Sequence, residues 1–553
     1  MSFHLDVRKP GRVLAVAVLV LVGIGLYFRW WDRYVEVGLA KWAVGELARR
    51  TDSTYHLALG DLTFRPLSGS LSFDSATIIT DTARNLHRST PLPTLHARAH
   101  QCEVSGVNVP RIFFRQSFDA SLLGCHRVVA SIGLAPGAKR DRKAPGDTAG
   151  TSAPTTRLDR PLGLSLFRIS EVSFPALSFT MRRPGPHGGA SALLEQARLN
   201  VADLVFDPTA DRRSGRIVSV HRARIAATGL VLRPDALSAI AIARLEVGIT
   251  DSTLGLAGAR HEPSMTDEEW VRQQRVRHDR VRFALDSLEA RGVAYRSFVA
   301  TGDLAIRAID MRGARLDVLT DKRIPAGPPR RHQSPQKAAA GVGLGFGVDS
   351  VHIIGSRIVY HERKPEREHA GQLSFDAVRG SILNLHLPSR GKALRIEASA
   401  RLMNAGLLSV HATVPLNAPD FRFELDGKLG PMSAVAINAF LAENEPIQLQ
   451  KGQVDGVEFR QLAVGGKATT NLTPRYRELS VEAVNRGGGV IGAVKRAFVK
   501  FAANTFKVRS ENPEDHGKRL RTATTMRTYD PANSWIQFLW FGLRDGLKVA
   551  VVK

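Results

Sequence analysis

From Thr51 onward the hydrophobic residues of this chain recur at every second position, in one short run after another. Tyr55/Leu57/Leu59, Leu71/Phe73, Leu164/Leu166, Leu177/Phe179, Leu199/Val201, Leu230/Leu232, Leu304/Ile306, Leu394/Ile396/Ala398 and Phe421/Phe423/Leu425 follow the pattern, mostly with polar, charged or small residues between. A period of two sends alternate side chains to opposite faces of an extended strand, so the pattern specifies β-sheet with one apolar and one wet face. At 553 residues the chain exceeds what one core holds, because cores stop growing at roughly 250–300 residues. Several domains or an elongated architecture follow.

A weak repeat runs through the pattern. Val351 to Tyr360 and Ile309 to Val318 share the form apolar-x-apolar-x-Gly-x-Arg-apolar-x-apolar, with Gly355 and Arg357 in the places of Gly313 and Arg315. Ile225 to Leu232, with Gly229, and Leu288 to Tyr295, with Gly292, are looser copies, and the four starts are separated by multiples of 21. Glycine supplies the positive φ of a tight turn, so each copy reads as a β-hairpin with an apolar face. A meander of about 20–24 such strands buries its apolar faces by closing into a barrel, stacking on another sheet, or curling into an elongated trough. The fold class expected is mainly β: an elongated, curved antiparallel sheet groove. Its candidate lining is Leu164, Leu166, Leu177, Phe179, Leu230, Leu232, Leu304, Ile306, Val351, Ile353, Ile358, Tyr360, Leu394, Ile396, Phe421, Phe423 and Leu425. The same residues would equally fill the core of a closed β-sandwich.

The N-terminus departs from this pattern. Val13 to Phe28 carries no charge, and with Arg29, Trp30 and Trp31 it spans about 28 Å as a helix, enough to cross a bilayer. Trp30, Trp31 and Tyr34 follow as an aromatic belt, and no small-x-small cleavage site is present, so the segment predicts an uncleaved anchor over 13–31 behind a cytoplasmic stub at 1–12. Val35, Leu39, Trp42, Ala43 and Leu47 keep a helical period, so 32–50 continues as an amphipathic juxtamembrane helix. Arg8, Lys9 and Arg12 before the segment are outnumbered by Arg29, Arg33, Lys41, Arg49 and Arg50 after it, which by charge alone leaves the large domain in the cytosol. Long domains translocate largely regardless of charge, and the expected topology is single-pass with the C-terminal domain across the membrane.

Residues 51–420 form the repeated groove, with mobile loops at 136–160 and 321–343, both Pro/Gly/Ser-rich, basic and non-periodic. Ser264 to Trp270 opens with a cap signature and acidic first-turn residues, which predicts a short helix to about His278. Residues 421–553 are set apart as a C-terminal domain ending in a basic amphipathic helix over 488–506 and a more apolar one over 534–552. Cys102 and Cys125 are the two cysteines, and they stand either as one disulfide or as two unpaired thiols.

Chemistry-bearing motifs are scarce. No GxSxG elbow, HExxH helix, Walker-type loop or EF-hand occurs, so the chain reads as a non-enzyme with no cofactor and no metal. The glycine run from Gly341 to Gly347 leads into a strand-like stretch and not a helix, so it reads as a hinge or loop edge and not as a phosphate cradle. His361, Glu362, Glu366, Glu368 and His369 read as a charged hairpin tip. The net charge of +25, from 77 Lys+Arg against 52 Asp+Glu, is spread along the chain, with arginines alternating with apolar residues as on the outer face of an amphipathic sheet. No reading helix or paired-aromatic strand concentrates it, which argues against nucleic acid.

Several segments resemble the AsmA-like family, relatives of the translocation-and-assembly-module large subunit and of the repeating-β-groove lipid-transfer group. At the N-terminus the similarity covers anchor, amphipathic helix and the strand pair from Tyr55 to Phe73. In the C-terminal third it covers Phe421 to Gly430, Asn438 to Ala442, Ile447 to Gly456, Tyr476 to Val481 and Phe501 to Asn504, in that order. The resemblance implies an inner-membrane protein of Gram-negative-type bacteria with its large domain in the periplasm, binding or conducting phospholipids in support of outer-membrane homeostasis. The expected partners are phospholipids and the inner membrane, with an envelope protein or a second copy as a further partner. The competing expectation is a lipid-free scaffold that supports envelope assembly through exposed sheet edges.

Overall fold

The computed structural model describes residues 40–552 apart from 42–43, 46, 50, 66–67, 87–92, 109–110, 112–113, 116, 134–165, 184–189, 207–217, 236, 302, 329–331, 343–344, 390, 446, 484–507 and 515–518. The stub at 1–12, the anchor at 13–31, the loop at 136–160, Leu164 and the helix at 488–506 therefore lie outside the described residues, almost entirely or wholly. Among the described residues no helix is long and apolar enough to cross a membrane. Of the juxtamembrane helix, 40–41, 44–45 and 47–49 are helical, and the Thr51 hydroxyl donates to the Leu47 carbonyl at 2.7 Å where the helix ends.

The chain is mainly β and falls into two compact units, one running to 236 and including 248–250, the other comprising 237–247 and 251 onward. Unit 1 contains β1 (Tyr55–Leu59), β2 (Leu62–Arg65), β3 (Ser70–Thr80), α1 (Thr82–Leu86), β4 (Thr94–Ser105), β5 (Ser117–Gly133), β6 (Leu166–Arg183), β7 (Ala190–Phe206), β8 (Val218–Ser219) and β9 (Arg222–Arg233). β1 and β2 both pair with β3, and β3 to β5 follow as an antiparallel run. β5 pairs parallel with β6, after which β6, β7 and β9 are antiparallel.

Unit 2 contains β10 (Ser238–Gly248), β11 (Thr253–Pro263), α2 (Asp267–Gln273), β12 (Arg280–Arg291), α3 (Tyr295–Thr301), β13 (Leu304–Arg312), β14 (Arg315–Asp321), α4 (Pro335–Ala340), β15 (Phe346–Arg363) and β16 (Gly371–Leu387). It continues with β17 (Leu394–Leu402), β18 (Gly406–Val414), β19 (Phe423–Leu429), β20 (Met432–Ser433), α5 (Asn438–Asn444), β21 (Ile447–Val464), β22 (Lys467–Ala483), β23 (Ala523–Thr528) and α6 (Trp535–Val551). β12 pairs antiparallel with β13 and β14, both of which pair parallel with β15. From β15 to β23 the ladder is antiparallel, and β18 pairs directly with β19, so the boundary expected at 420/421 falls inside this unit.

The sheets are thus not wholly antiparallel, which corrects the expected fold at two places for one reason. Parallel neighbours need a crossover of a dozen or more residues. The sequence leaves room for such connections between Gly133 at the end of β5 and Leu166 at the start of β6, and between Asp321 at the end of β14 and Phe346 at the start of β15. The second is also not the mobile loop expected over 321–343. Asp321 and Ile324 are buried, and Ser334 caps α4 with Pro335 in its first turn, an arrangement that favours helix. Gln336 of α4 donates to the carbonyls of Pro415 and Arg422. α2 ends at Gln273, short of His278, and its cap is Thr266, whose side chain and that of Glu269 form a capping box.

The repeated glycines are not hairpin turns. Gly229 and Gly355 lie inside β9 and β15 and Gly313 joins β13 to β14, with φ between +62° and +66°, so each of these three marks an interruption within a long extended run, whereas Gly292, with φ +70°, follows the last residue of β12. In β15 the register against β16 shifts between Ile353 and Ser356, as in a β-bulge that inserts a residue and bends the strand. Ile354 and Gly355 both turn outward there, and the buried side resumes at Ser356. The strands are therefore much longer than the alternating runs in the sequence.

The repeat itself has a structural counterpart. Ile309 lies beside Val351, Met311 beside Ile353, Arg315 beside Arg357, Leu316 beside Ile358 and Val318 beside Tyr360. The Ala314 N–H donates to the Ser356 hydroxyl, 42 positions later. The two clearest copies are the two halves of one parallel strand pair, in register.

Candidate functional site

The register places the apolar residues of each unit in rows that run across the strands. In unit 1 Phe73, Cys102 and Cys125 form a row from β3 to β5 and Phe174, Leu199 and Ile225 one from β6 to β9, and a row across all of β3 to β9 reads Ile78, Ala97, Ala130, Phe179, Leu194, Leu230. Leu177 stands between Val128 and Ala197, and Leu232 beside Ala192. Leu166 opens β6 beside Ser117. The structure joins Cys102 to Cys125 as a disulfide, directly across β4 and β5 and within the apolar row.

In unit 2 one row runs Leu254, Ala290, Ile309, Val351, Ile382, Ile396, Ala412, Leu425 from β11 to β19. The next runs Leu256, Leu288, Met311, Ile353, Gly380, Ala398, Val410, Gly427, Phe459, Leu472. Ile358 faces Phe375 across the ladder, Tyr360 faces Leu373, and Leu304 and Ile306 lie beside Phe346 and Val348. The sequence nominates Val351, Ile396 and Leu425 in the first of these rows and Ile353 in the second. It missed Leu254, Leu288, Met311 and Ile382, and the phase break at each glycine was the signal that would have found them.

These rows are not covered uniformly. One cluster of buried and partly buried residues, Ala259, Leu285 and Ala314 with Ile242, Leu256, Phe283, Leu288 and Met311, draws among the described residues on neighbouring strands β10 to β14 and on no facing layer. Ile353, Ile382 and Ile396 are only half-buried. At the C-terminal end the same face is closed. Phe421 and Phe423 are buried with Val414, Ala463, Ala468, Ala339 of α4 and Phe538 of α6, and Leu394 and Leu425 pack against that cluster. The Phe421 ring lies 5.6 Å from that of Phe538 and 4.5 Å from that of Tyr529. These candidates fill a closed core and not an open wall. The physical cause is α6, which sits close on the sheet because Gly542 offers no side chain: a Cβ there would come within 2.3 Å of Gln461 Nε2. Gln461 beneath it is buried and donates to the Thr470 hydroxyl and the Leu539 carbonyl. Nearby, the Tyr360 ring stacks at 6.4 Å on Phe440 of α5, and burial pushes the Tyr360 hydroxyl pKa upward.

The opposite face is ionic. Cross-strand pairs Arg315/Asp286 at 2.6 Å, Arg357/Asp376 at 2.8 Å and Arg477/Asp455 at 3.2 Å use its arginines. Arg280, buried, joins Asp317 and Asp267, and Glu268 of α2 accepts from Arg363 and Arg323. Those two guanidinium contacts, Arg363 first, hold the Glu268 carboxyl below its ordinary pKa. Among the described residues no group of three or more His, Cys, Asp or Glu is placed to hold a metal ion. A cleft of about 280 Å³ opens where the row Leu304, Phe346, Leu387 reaches the strand ends.

No family model matches the chain, and no curated protein sequence matches it.

Proposed function

We propose that this chain binds phospholipid on its apolar sheet faces and conducts it along them, as an inner-membrane-anchored protein whose large domain lies in the periplasm and supports outer-membrane lipid homeostasis. The observation that carries the reading is the ladder-aligned apolar rows, continuous over strand after strand and half-exposed in their middle. A lipid crossing water exposes its acyl chains at about 0.8 kcal/mol per CH₂, so two ordinary chains face a barrier of well over roughly 20 kcal/mol. An unbroken apolar wall removes most of that barrier, and no single residue has to carry the function. The disulfide across β4 and β5 supports an oxidising compartment, and the apolar run at Val13 to Phe28 supports the anchor.

Lipid extraction and native mass spectrometry of the purified full chain test the reading: co-purified phospholipid at more than a trace is expected. A folded, lipid-free protein would overturn it in favour of a scaffold acting through sheet edges. Topology is tested by a C-terminal alkaline phosphatase fusion, expected to be active where a cytosolic reporter is silent.

A further inference from the structure

We propose that the cleft bounded by α3, the start of β15 and the end of β16 is a lateral portal through which a phospholipid acyl chain passes on and off the apolar face of unit 2. The proposal rests on the reading of that face as lipid-binding. Its floor is the row Leu304, Phe346, Leu387, the last apolar row before the strand ends. Leu304 and Phe346 pack in the cluster built on Ala290, Ile306 and Val348, whereas Leu387 packs against the closed core under α4 and α6. The cleft therefore sits between the covered C-terminal core and a cluster that is itself buried at Ala290, Ile306 and Val348 and reaches the half-buried row at Ile309 and Val351. A chain sliding along the rows toward β21 meets Phe421, Phe423 and Phe538 packed against one another, so the C-terminal end is a stop and an outlet is needed before it.

Size and chemistry agree with a chain segment. At about 280 Å³ the cleft is larger than a cavity of roughly 150 Å³ that admits one benzene, and too small for a whole lipid. Gly345 and Gly347, from the glycine run that the fold otherwise leaves unexplained, present bare backbone to it, while Ser297, Asp303 and Ser389 form a polar lip. An amphiphile can thus lay a few carbons on the floor and keep its headgroup in water, as amphipathic groups do at an interface.

The test is photo-crosslinking in the full chain with a benzophenone amino acid at Ser389, at Ile353 on the apolar face, and at Leu462, which is 47% exposed outside the covered core. Lipid adducts at Ile353 and Ser389 but not at Leu462 are expected. Adducts at Ile353 without any at Ser389 would overturn the portal and leave the lipid-binding face standing; no adduct at either would overturn the face and the portal with it. Ser389→Trp, which fills the lip, should slow lipid uptake from vesicles of phosphatidylethanolamine and phosphatidylglycerol about tenfold while the protein stays folded, as obstruction of a gate does. Undiminished uptake by a folded Ser389→Trp chain would also refute the portal.

Discussion

Phe423→Asp should unfold the C-terminal end of unit 2, whereas Ile353→Asp should leave the fold intact and empty it of lipid. Phe423 is 3% exposed, and its ring lies 5.5 Å from that of Phe421 and 6.4 Å, edge to face, from that of Phe538. Removing a buried Phe costs about 3–5 kcal/mol in lost transfer energy and cavity. An unpaired carboxylate in the same place adds several more, because the rings it would lie against, Phe421 and Phe538, offer it no hydrogen-bond donor. The sum rivals the roughly 5–15 kcal/mol that holds a typical domain together. Ile353 also stands in an apolar row, yet it is half-buried beside Met311 and Gly380, where a carboxylate can turn to water and the loss is about 1.5–3 kcal/mol or less. Circular dichroism against temperature, limited proteolysis and lipid mass spectrometry on the two full-length variants separate the cases. A cooperatively folded Phe423→Asp chain with the parent melting temperature would refute the packing argument. A folded Ile353→Asp chain that keeps its lipid would refute the conduit at that row.

Gly313→Ala should destabilise unit 2 by about 1–2 kcal/mol for its φ of +63° alone, and by more because the new Cβ would meet Asp286 Oδ2 at 2.0 Å. Adding Asp286→Ala should recover the second part but not the first, and equal melting temperatures for the single and double variants would contradict this. Cys102→Ser with Cys125→Ser should cost about 2–4 kcal/mol and abolish the mobility difference between reduced and unreduced parent protein; an unreduced parent that already migrates as reduced would show the bond absent. For Glu268, whose folded pKa is lowered from an ordinary 4.5, the stabilisation is present above the unfolded value and lost as pH falls through the folded one. Hydrogen exchange over 267–273 should therefore stay slow at neutral pH and quicken below about pH 4.5. Glu268→Gln should quicken it already at neutral pH, and identical pH profiles for the two would disprove the clasp.

What was legible in the sequence was the local alternation, and what was hidden was its phase. Leu177 and Phe179 announce a strand, as do Leu230 and Leu232, because a period of two depends only on neighbours. The rows depend on register, and each αL residue inside a strand moves the apolar set by one position. Ile353 and Ser356 share the buried side although their spacing is odd, because Gly355 lies between them. Read without the bulges, an 18-residue strand such as Phe346–Arg363 breaks into fragments, and its central glycine looks like a turn because turns and bulges ask for the same positive φ. The repeat carried the missing information: offsets in multiples of 21 between Ile309 and Val351 place Gly313 and Gly355 side by side only if the strands run parallel. Parallel strands in turn require long connections, and the basic stretches between Gly133 and Leu166 and between Asp321 and Phe346 leave room for them, although their composition suggested idle loops. The covering helices were legible one at a time, since Ser534 before an apolar run marks a helix start. That α6 would lie on Phe423 was not, because the contact joins residues more than a hundred positions apart and turns on the missing side chain of Gly542. A linear pattern can therefore nominate an apolar wall, but only tertiary packing decides which of its residues face a lipid and which face another part of the chain.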